Sequence, residues 1–244
     1  MRTTNLAMRF PRLNLLQWAV HIGAWIPLIL MGVDYFQDNL TINPIQELTS
    51  RTGKTALALL VLTLAATPAN TVFGLRSALK VRRALGLYTF MYVSIHFLIF
   101  IGLDYGFNLK LLKEAIFEKR YALVGFAAGL IMLPLALTST RGWMARLGKN
   151  WKRLHRFVYL AGVLAVVHYV WLVKSDIRDP LAYGLAVLLL LIARLRIVRK
   201  SLSSLRLNIM GRLRRQSTMI RIEINPVNSV ERIRKRIFGD LNPR

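Results

Sequence analysis

Six long apolar segments run through this sequence and restrict its fold more than any other feature. Their approximate bounds are 14–35, 54–72, 85–104, 121–138, 155–173 and 180–198. A helix of about 20 mainly apolar residues crosses the hydrocarbon core of a bilayer, so each segment is long enough for one span. Backbone groups inside lipid must be hydrogen-bonded within the protein, which favours helices. The sequence therefore predicts an all-α integral membrane protein with a bundle of six transmembrane helices.

The charged residues between these segments predict the orientation of the bundle. The segment before the first span and the connections after the second and fourth spans contain arginine or lysine and no acid. The other three connections contain both signs of charge. Because acid-free basic connections face the cytoplasm, we expect both termini to be cytoplasmic. The predicted organisation is a cytoplasmic segment 1–13, a transmembrane domain 14–198 and a basic cytoplasmic tail 199–244.

Composition narrows the function. The chain is 55% hydrophobic and carries a net charge of +24. Basic residues beside spans usually contact anionic lipid headgroups, so membrane lipids are expected partners. No aromatic platform or nucleic-acid-reading motif accompanies the charge, and we predict no nucleic-acid binding. The absence of cysteine excludes disulfides, cysteine-ligated iron–sulfur clusters and covalently attached haem c. No internal repeat stands out.

The histidines are the strongest candidates for a functional site. All four lie in or at the ends of predicted spans: His21, His96, His155 and His168. Ionisable residues inside a bilayer are costly and are therefore functional candidates. One such histidine alone would more simply be a buried side chain bonded to a neighbouring helix. That interpretation explains less well why all four histidines of the chain lie in or beside spans.

Depth in the membrane pairs two of these histidines. His96 lies 11 residues into the third span and His168 lies 13 residues into the fifth, which is about 16 and 20 Å of helix. Both spans are predicted to enter from the cytoplasm, so the two imidazoles should reach similar depths. Neutral imidazoles on facing helices are suitable axial ligands for a haem iron.

His155 lies instead at the predicted cytoplasmic edge, where a second haem is one interpretation. His21 is a candidate partner, and a single-ligand site or the absence of a second haem are alternatives. On an ideal helix, His155 and His168 would project about 140° apart. A twist near Gly162 or an irregular first turn at His155 would reconcile the two directions.

Several motifs resemble a known family. "RRALGLYTFMYVSIHF", "PLALTS" and "RLGKNWKRLHRFVYLAGVLAVVHYVW" together resemble the ferric-reductase-like transmembrane superfamily. Within it they are most similar to the MsrQ family, haem-binding membrane subunits of a bacterial methionine sulfoxide reductase system. "HIGAWIPL" and "TGKTALALLVLTLAATP" match the usual order of that family. The resemblance covers about residues 13–198.

The resemblance implies a six-helix b-type cytochrome of the bacterial inner membrane. Such proteins pass electrons from a cytoplasmic flavin reductase or the quinone pool to a periplasmic molybdopterin-containing methionine sulfoxide reductase. Catalytic reduction is then expected on that partner, and no catalytic residue is predicted here. The implied cofactors are haem b, one or two per chain, and FMN. The family's haem-iron ligands fall on His96, His155 and His168. Eukaryotic oxidases of the superfamily have a second histidine on the third span, where this chain has Arg82 and Arg83.

Other functions compete with this one. A ferric-reductase-like electron-transfer protein with a different acceptor would carry the same histidines. A self-contained reductase would need its own dinucleotide-binding domain, and no glycine-rich strand–turn–helix fingerprint is present. A proton-coupled transporter could use histidines as relays, but such proteins more often have intramembrane carboxylates or paired broken helices.

Overall fold

The structure, a computed structural model, describes residues 14–204, 206 and 207, and this part of the chain is helical. The predicted segment 1–13 and most of the predicted tail lie outside the described residues. The helices are α1 (Leu15–Phe36), α2 (Pro44–Phe73), α3 (Arg76–Ile99, continued by a π-helical turn Phe100–Asp104), α4 (Leu109–Glu118), α5 (Arg120–Leu137), α6 (Arg141–Leu147), α7 (Lys149–Leu154), α8 (Phe157–Leu172) and α9 (Arg178–Ile192). A further helix, Arg196–Ser204, belongs to a second compact unit that begins at Arg196.

Five helical stretches are long and apolar enough to cross a membrane. They are α1, α2, α3 with its π-helical turn, α5, and α7 together with α8. A sixth stretch qualifies only when α9 is counted together with the helix that follows it. The prediction of an all-α membrane protein is therefore confirmed, while the count of six spans stays a prediction.

Capping residues explain where the second span begins. Asn43 accepts a hydrogen bond from the backbone N–H of Gln46 at 3.1 Å, and Pro44 occupies the first turn. Both features are typical of a helix start. Helix α2 consequently begins ten residues before the predicted apolar segment, because hydropathy detects only the apolar part. It ends at Gly74, whose φ of 72° allows the tight reversal into α3.

Two predicted spans differ from the structure at their basic ends. The fifth span is predicted to start at His155, but α8 begins at Phe157, after a two-residue break that follows the end of α7 at Leu154. His155 therefore lies in the break and not inside a continuous helix. The sixth span ends at Ile192 instead of near residue 198. Its next basic residue, Arg194, turns toward the bundle and bonds other helices there.

The bundle core consists of two helix pairs. Helix α2 packs along α3, and α5 packs along α8, while α1 lies against α3 and α9 lies against α8 and α2. One apolar cluster joins the first three helices around Tyr92, whose hydroxyl donates to the carbonyl oxygen of Ala24 at 2.7 Å. A second cluster joins α2, α5 and α8 around Leu64 and Ala161. The outward faces carry large exposed apolar side chains, which suits contact with lipid.

The two ends of the bundle differ in the charges that they carry. We call the connections α1–α2, α3–α5 and α8–α9 the mixed end, and the connections α2–α3 and α5–α8 the basic end. All acids of the described residues lie at the mixed end: Asp34, Asp38, Glu47, Asp104, Glu114, Glu118, Asp176 and Asp179. Arg51 bonds Asp34 and Glu47 there, and Lys54 lies 3.0 Å from Asp179.

Candidate cofactor site

The structure brings His96 and His168 together at the centre of the bundle. His96 projects from α3 and His168 from α8, so one imidazole comes from each of the two helix pairs. Their ring centres lie 6.3 Å apart, and the ring planes are nearly perpendicular, at 85°. Two histidines that are 72 residues apart in sequence therefore lie next to each other in the bundle.

Each of these two rings is held by a backbone carbonyl of a neighbouring helix. The Nδ1 of His96 lies 2.9 Å from the oxygen of Thr49, and the Nδ1 of His168 lies 2.7 Å from the oxygen of Tyr121. A carbonyl oxygen only accepts, so each Nδ1 carries the proton and donates it. That assignment follows from the bonding partners. In the neutral imidazole this leaves Nε2 unprotonated, as a metal ligand must be.

A large cavity surrounds the two imidazoles. Its volume is about 1110 Å³, and helices α2, α3, α5 and α8 form its walls. Leu60, Phe90 and Met132 give it an apolar interior, whereas Asn43 and Asp179 line it toward the mixed end. This size and lining suit a bulky organic cofactor. The cavity was not foreseen from sequence, because its walls come from four separated helices.

The donor set indicates which metal chemistry the site can support. In the part of the chain that the structure describes, no group of three or more His, Cys, Asp or Glu residues is placed to hold a metal ion. Two imidazoles alone leave most of the coordination shell to a non-protein group, and a porphyrin supplies four such ligands. With metal–nitrogen bonds of about 2 Å on either side, two imidazoles on one iron have ring centres about 6 Å apart. The observed spacing of His96 and His168 fits that arrangement.

His155 lies apart from this pair, at the basic end. Its ring stacks on Trp151 with centres 3.9 Å apart, and its Nδ1 lies 3.1 Å from the carbonyl oxygen of Trp151. Its Nε2 lies 3.4 Å from the hydroxyl of Ser139. Its place in the break between α7 and α8 is the irregular first turn that the sequence left as one alternative.

His21 is separated from the other histidines. Its Nδ1 lies 2.9 Å from the hydroxyl of Tyr88, on the flank between α1 and α3. Both residues line a smaller cavity of about 440 Å³ together with Lys80 and Arg83. The structure therefore does not bring His21 and His155 together.

Sequence reasoning missed the groups that hold the imidazoles. Thr49 and Tyr121 act through backbone carbonyls, which no side-chain motif reveals. The signal that the sequence offers is a common spacing, because Thr49 and Tyr121 each lie 47 residues before the histidine that their carbonyl binds. Lys54 was also missed as a lining residue of the cavity, where it bonds Asp179.

Comparison with known proteins places this chain in a family. The model of the family described as "Ferric reductase like transmembrane component" matches residues 52–166. The protein-methionine-sulfoxide reductase heme-binding subunit MsrQ of Xanthomonas axonopodis pv. citri is 46% identical over 179 residues, which cover 70% of this chain and 82% of the relative. The subunit of the same name from Rhodospirillum rubrum is 43% identical over 178 residues, covering 72% of this chain and 86% of the relative.

The chain belongs to the MsrQ family. The predicted family resemblance is thereby confirmed. Together with its several membrane-spanning helices, membership of the MsrQ family makes it a multi-pass protein of the bacterial inner membrane. No solved structure shows a significant match to this chain.

Proposed function

We propose that this MsrQ-family protein is a b-type cytochrome subunit that carries electrons across the inner membrane. The proposed acceptor is a periplasmic molybdopterin-containing methionine sulfoxide reductase, which repairs oxidised methionines. The observation that carries the proposal is the pairing of His96 with His168 across a cavity large enough for a porphyrin. The names of the MsrQ relatives describe them as haem-binding subunits, which supports the same conclusion.

His96 and His168 are the residues that would hold a haem iron. Each Nδ1 donates to a backbone carbonyl, which fixes the tautomer, orients the ring and makes Nε2 a better donor. A haem held by His96 and His168 would supply one-electron redox chemistry, and two histidine ligands would leave no open position for oxygen. Phe90 and Met132 are among the apolar side chains that line the walls around the site.

The polarity of the two ends supports a direction of transfer. The basic end lacks acids in the described part of the chain and is assigned to the cytoplasm by the positive-inside rule. The donor at that end is a cytoplasmic flavin reductase or the quinone pool. The basic side chains there can pair with the phosphate of FMN. A second haem at that end would rest on His155, so haem b is expected once or twice per chain.

The experiment that tests this function measures haem in purified full-length protein. We expect a b-type spectrum of six-coordinate iron, with haem per polypeptide given by a pyridine haemochrome assay. Replacing His96 or His168 by alanine should abolish the six-coordinate signal, because one axial ligand is lost. His21→Ala is the matched control, since that histidine lines a different cavity.

Two results would contradict the proposal. A colourless wild-type protein would remove the haem function and favour a histidine-relay transporter. A normal six-coordinate spectrum at full haem content in the His96→Ala, His168→Ala double variant would place the ligands elsewhere.

A further inference from the structure

The two helix pairs repeat one arrangement at a constant distance in sequence. In each pair, the first helix supplies a backbone carbonyl and a glycine, and the second helix supplies a histidine that contacts both. The two sets are separated by 72 residues throughout. The corresponding residues are Thr49 and Tyr121, Gly53 and Gly125, and His96 and His168.

The first element shared by the two sets is a carbonyl one helical turn before a glycine. Thr49 precedes Gly53 by four residues, and its carbonyl oxygen accepts a hydrogen bond from His96. In the same way, Tyr121 precedes Gly125 by four residues, and its carbonyl oxygen accepts from His168. Both hydrogen bonds join residues 47 positions apart. Each imidazole therefore meets a helix backbone at the turn where that backbone carries no side chain.

The approach of His168 to α5 is the closer of the two. A Cβ atom placed on Gly125 would lie 2.5 Å from Nδ1 and 2.8 Å from Cε1 of His168. These distances are far inside van der Waals contact, and both atoms belong to a ring that a hydrogen bond holds in place. Any side chain at position 125 would therefore displace the imidazole.

The approach of His96 to α2 is similar but looser. A Cβ atom on Gly53 would lie 3.2 Å from both Nδ1 and Cε1 of His96. The ring would have to move by a few tenths of an ångström to accept it. The bond to Thr49 could survive such a movement, whereas the bond of His168 to Tyr121 could not survive the larger one.

The rest of the cavity follows the same relationship. Further pairs of residues separated by 72 positions also line it, among them Ala56 and Ala128, Leu57 and Gly129, Leu60 and Met132, and Val93 and Ala165. Glycine is a poorer helix former than alanine in the interior of a helix. Helix propensity therefore gives no reason for glycine at positions 53 and 125, whereas the approach of an imidazole does.

We infer that Gly53 and Gly125 are positioning residues for the two axial imidazoles, each setting one ring of a site built from two equivalent halves. This inference rests on the proposed haem function, and it assigns the orientation of the ligands to the two glycines. Neither glycine touches the iron. Each acts through its histidine, by letting the ring reach the carbonyl that fixes its tautomer.

The test is a graded series of alanine variants in the full-length protein. Gly125→Ala should weaken haem binding by about 10- to 100-fold, because a group that orients a metal ligand is lost. Gly53→Ala should keep its haem and shift the midpoint potential and the low-spin EPR signal. Gly86→Ala is the control, since its Cβ would meet only Thr63 at an ordinary 3.7 Å.

A double variant separates positioning from helix packing. In a His168→Ala background the ring is absent, so adding Gly125→Ala should leave the thermal stability of the apoprotein unchanged or raised. If Gly125→Ala lowered stability equally in the wild-type and His168→Ala backgrounds, its effect would not depend on the imidazole, and the inference would be overturned. If Gly125→Ala alone inserts poorly, membrane insertion replaces stability as the measurement, and equally poor insertion in the His168→Ala background would overturn the inference.

The outcomes distinguish the inference from the proposed function. A colourless wild-type protein contradicts the haem function itself. If the wild type has six-coordinate haem that His168→Ala removes, but Gly125→Ala keeps the wild-type content, EPR signal and potential, only the inference about the glycines is overturned.

Discussion

The side chain of Arg194 completes the hydrogen bonding of Leu64 in a different helix. Its Nη2 donates to the carbonyl oxygen of Leu64 at 2.7 Å. The usual donor to that oxygen within α2 is absent, because the residue four positions later is Pro68, which has no N–H. Arg194 also donates to the hydroxyl of Tyr159 and lies over its ring, 4.8 Å from the centre. One guanidinium therefore ties the end of the last helix of the bundle to α2 and α8.

Replacing Arg194 with alanine should destabilise the bundle. The change leaves the carbonyl of Leu64 without a donor and removes the contact with Tyr159. Hydrogen bonds between membrane helices are worth about 0.6 to 2 kcal/mol, so we expect a loss of about 1–2 kcal/mol. Thermal or denaturant unfolding of the purified protein in detergent would measure it.

The role of Pro68 supplies a matched control for this prediction. In a Pro68→Ala background the new N–H can bond the oxygen of Leu64, so Arg194→Ala should then cost less. Arg199→Ala, at an exposed basic residue, should leave stability nearly unchanged. Equal losses in the wild-type and Pro68→Ala backgrounds would show that the bond to Leu64 does not contribute.

Arg194 also shows what sequence can and cannot reveal about this fold. Hydropathy located the spans, because apolar side chains must face the lipid over the whole length of each span. Hydropathy gives Arg194 no special role, since it only shows a charge near the end of the sixth apolar segment. Its acceptors, Leu64 and Tyr159, lie 130 and 35 residues away, and only the folded bundle brings them near.

The histidines illustrate the same limit within the site. Depth counting placed His96 and His168 at similar levels, because both spans are predicted to start from the same side. Helical periodicity could not give the direction of His155, since the chain leaves helical geometry between Leu154 and Phe157. The supporting carbonyl of Tyr121 is a backbone group and has no signature in side-chain chemistry.

A reporter fused after the last residue should show a cytoplasmic carboxyl terminus. The reason is the absence of acids from the basic end in the described residues, together with the positive-inside rule. A fusion in the connection between α1 and α2, near Asn39, should report the periplasm. A periplasmic signal from the carboxyl-terminal fusion would reverse the orientation and the proposed direction of electron transfer.

Removing His21 should affect local packing more than the cofactor. His21→Ala breaks the hydrogen bond to Tyr88 on the flank between α1 and α3, away from the cavity of His96 and His168. We expect the six-coordinate spectrum and the haem content to match the wild type, with a small loss of thermal stability. Tyr88→Phe removes the same bond and should behave alike. Loss of haem in His21→Ala but not in Tyr88→Phe would indicate that His21 is itself a ligand.

Removing His155 should spare the central site and disturb the basic end. Its imidazole contacts Trp151 and Ser139 and does not line the cavity that holds His96 and His168. His155→Ala should therefore keep the six-coordinate signal assigned to that pair, while slowing reduction by a cytoplasmic donor. Rapid-mixing reduction followed by absorbance would measure the rate.

The haem content of His155→Ala also decides what the basic end holds. If a second haem rests on His155, the ratio of haem to polypeptide should fall from two to one, and the remaining spectrum should be that of the central pair. Ser139→Ala is a milder companion, because it removes the 3.4 Å contact to Nε2 and the bond of the hydroxyl to the Leu135 carbonyl oxygen but leaves the stacking on Trp151 intact. Loss of the central six-coordinate signal in His155→Ala would contradict the separation of the two sites.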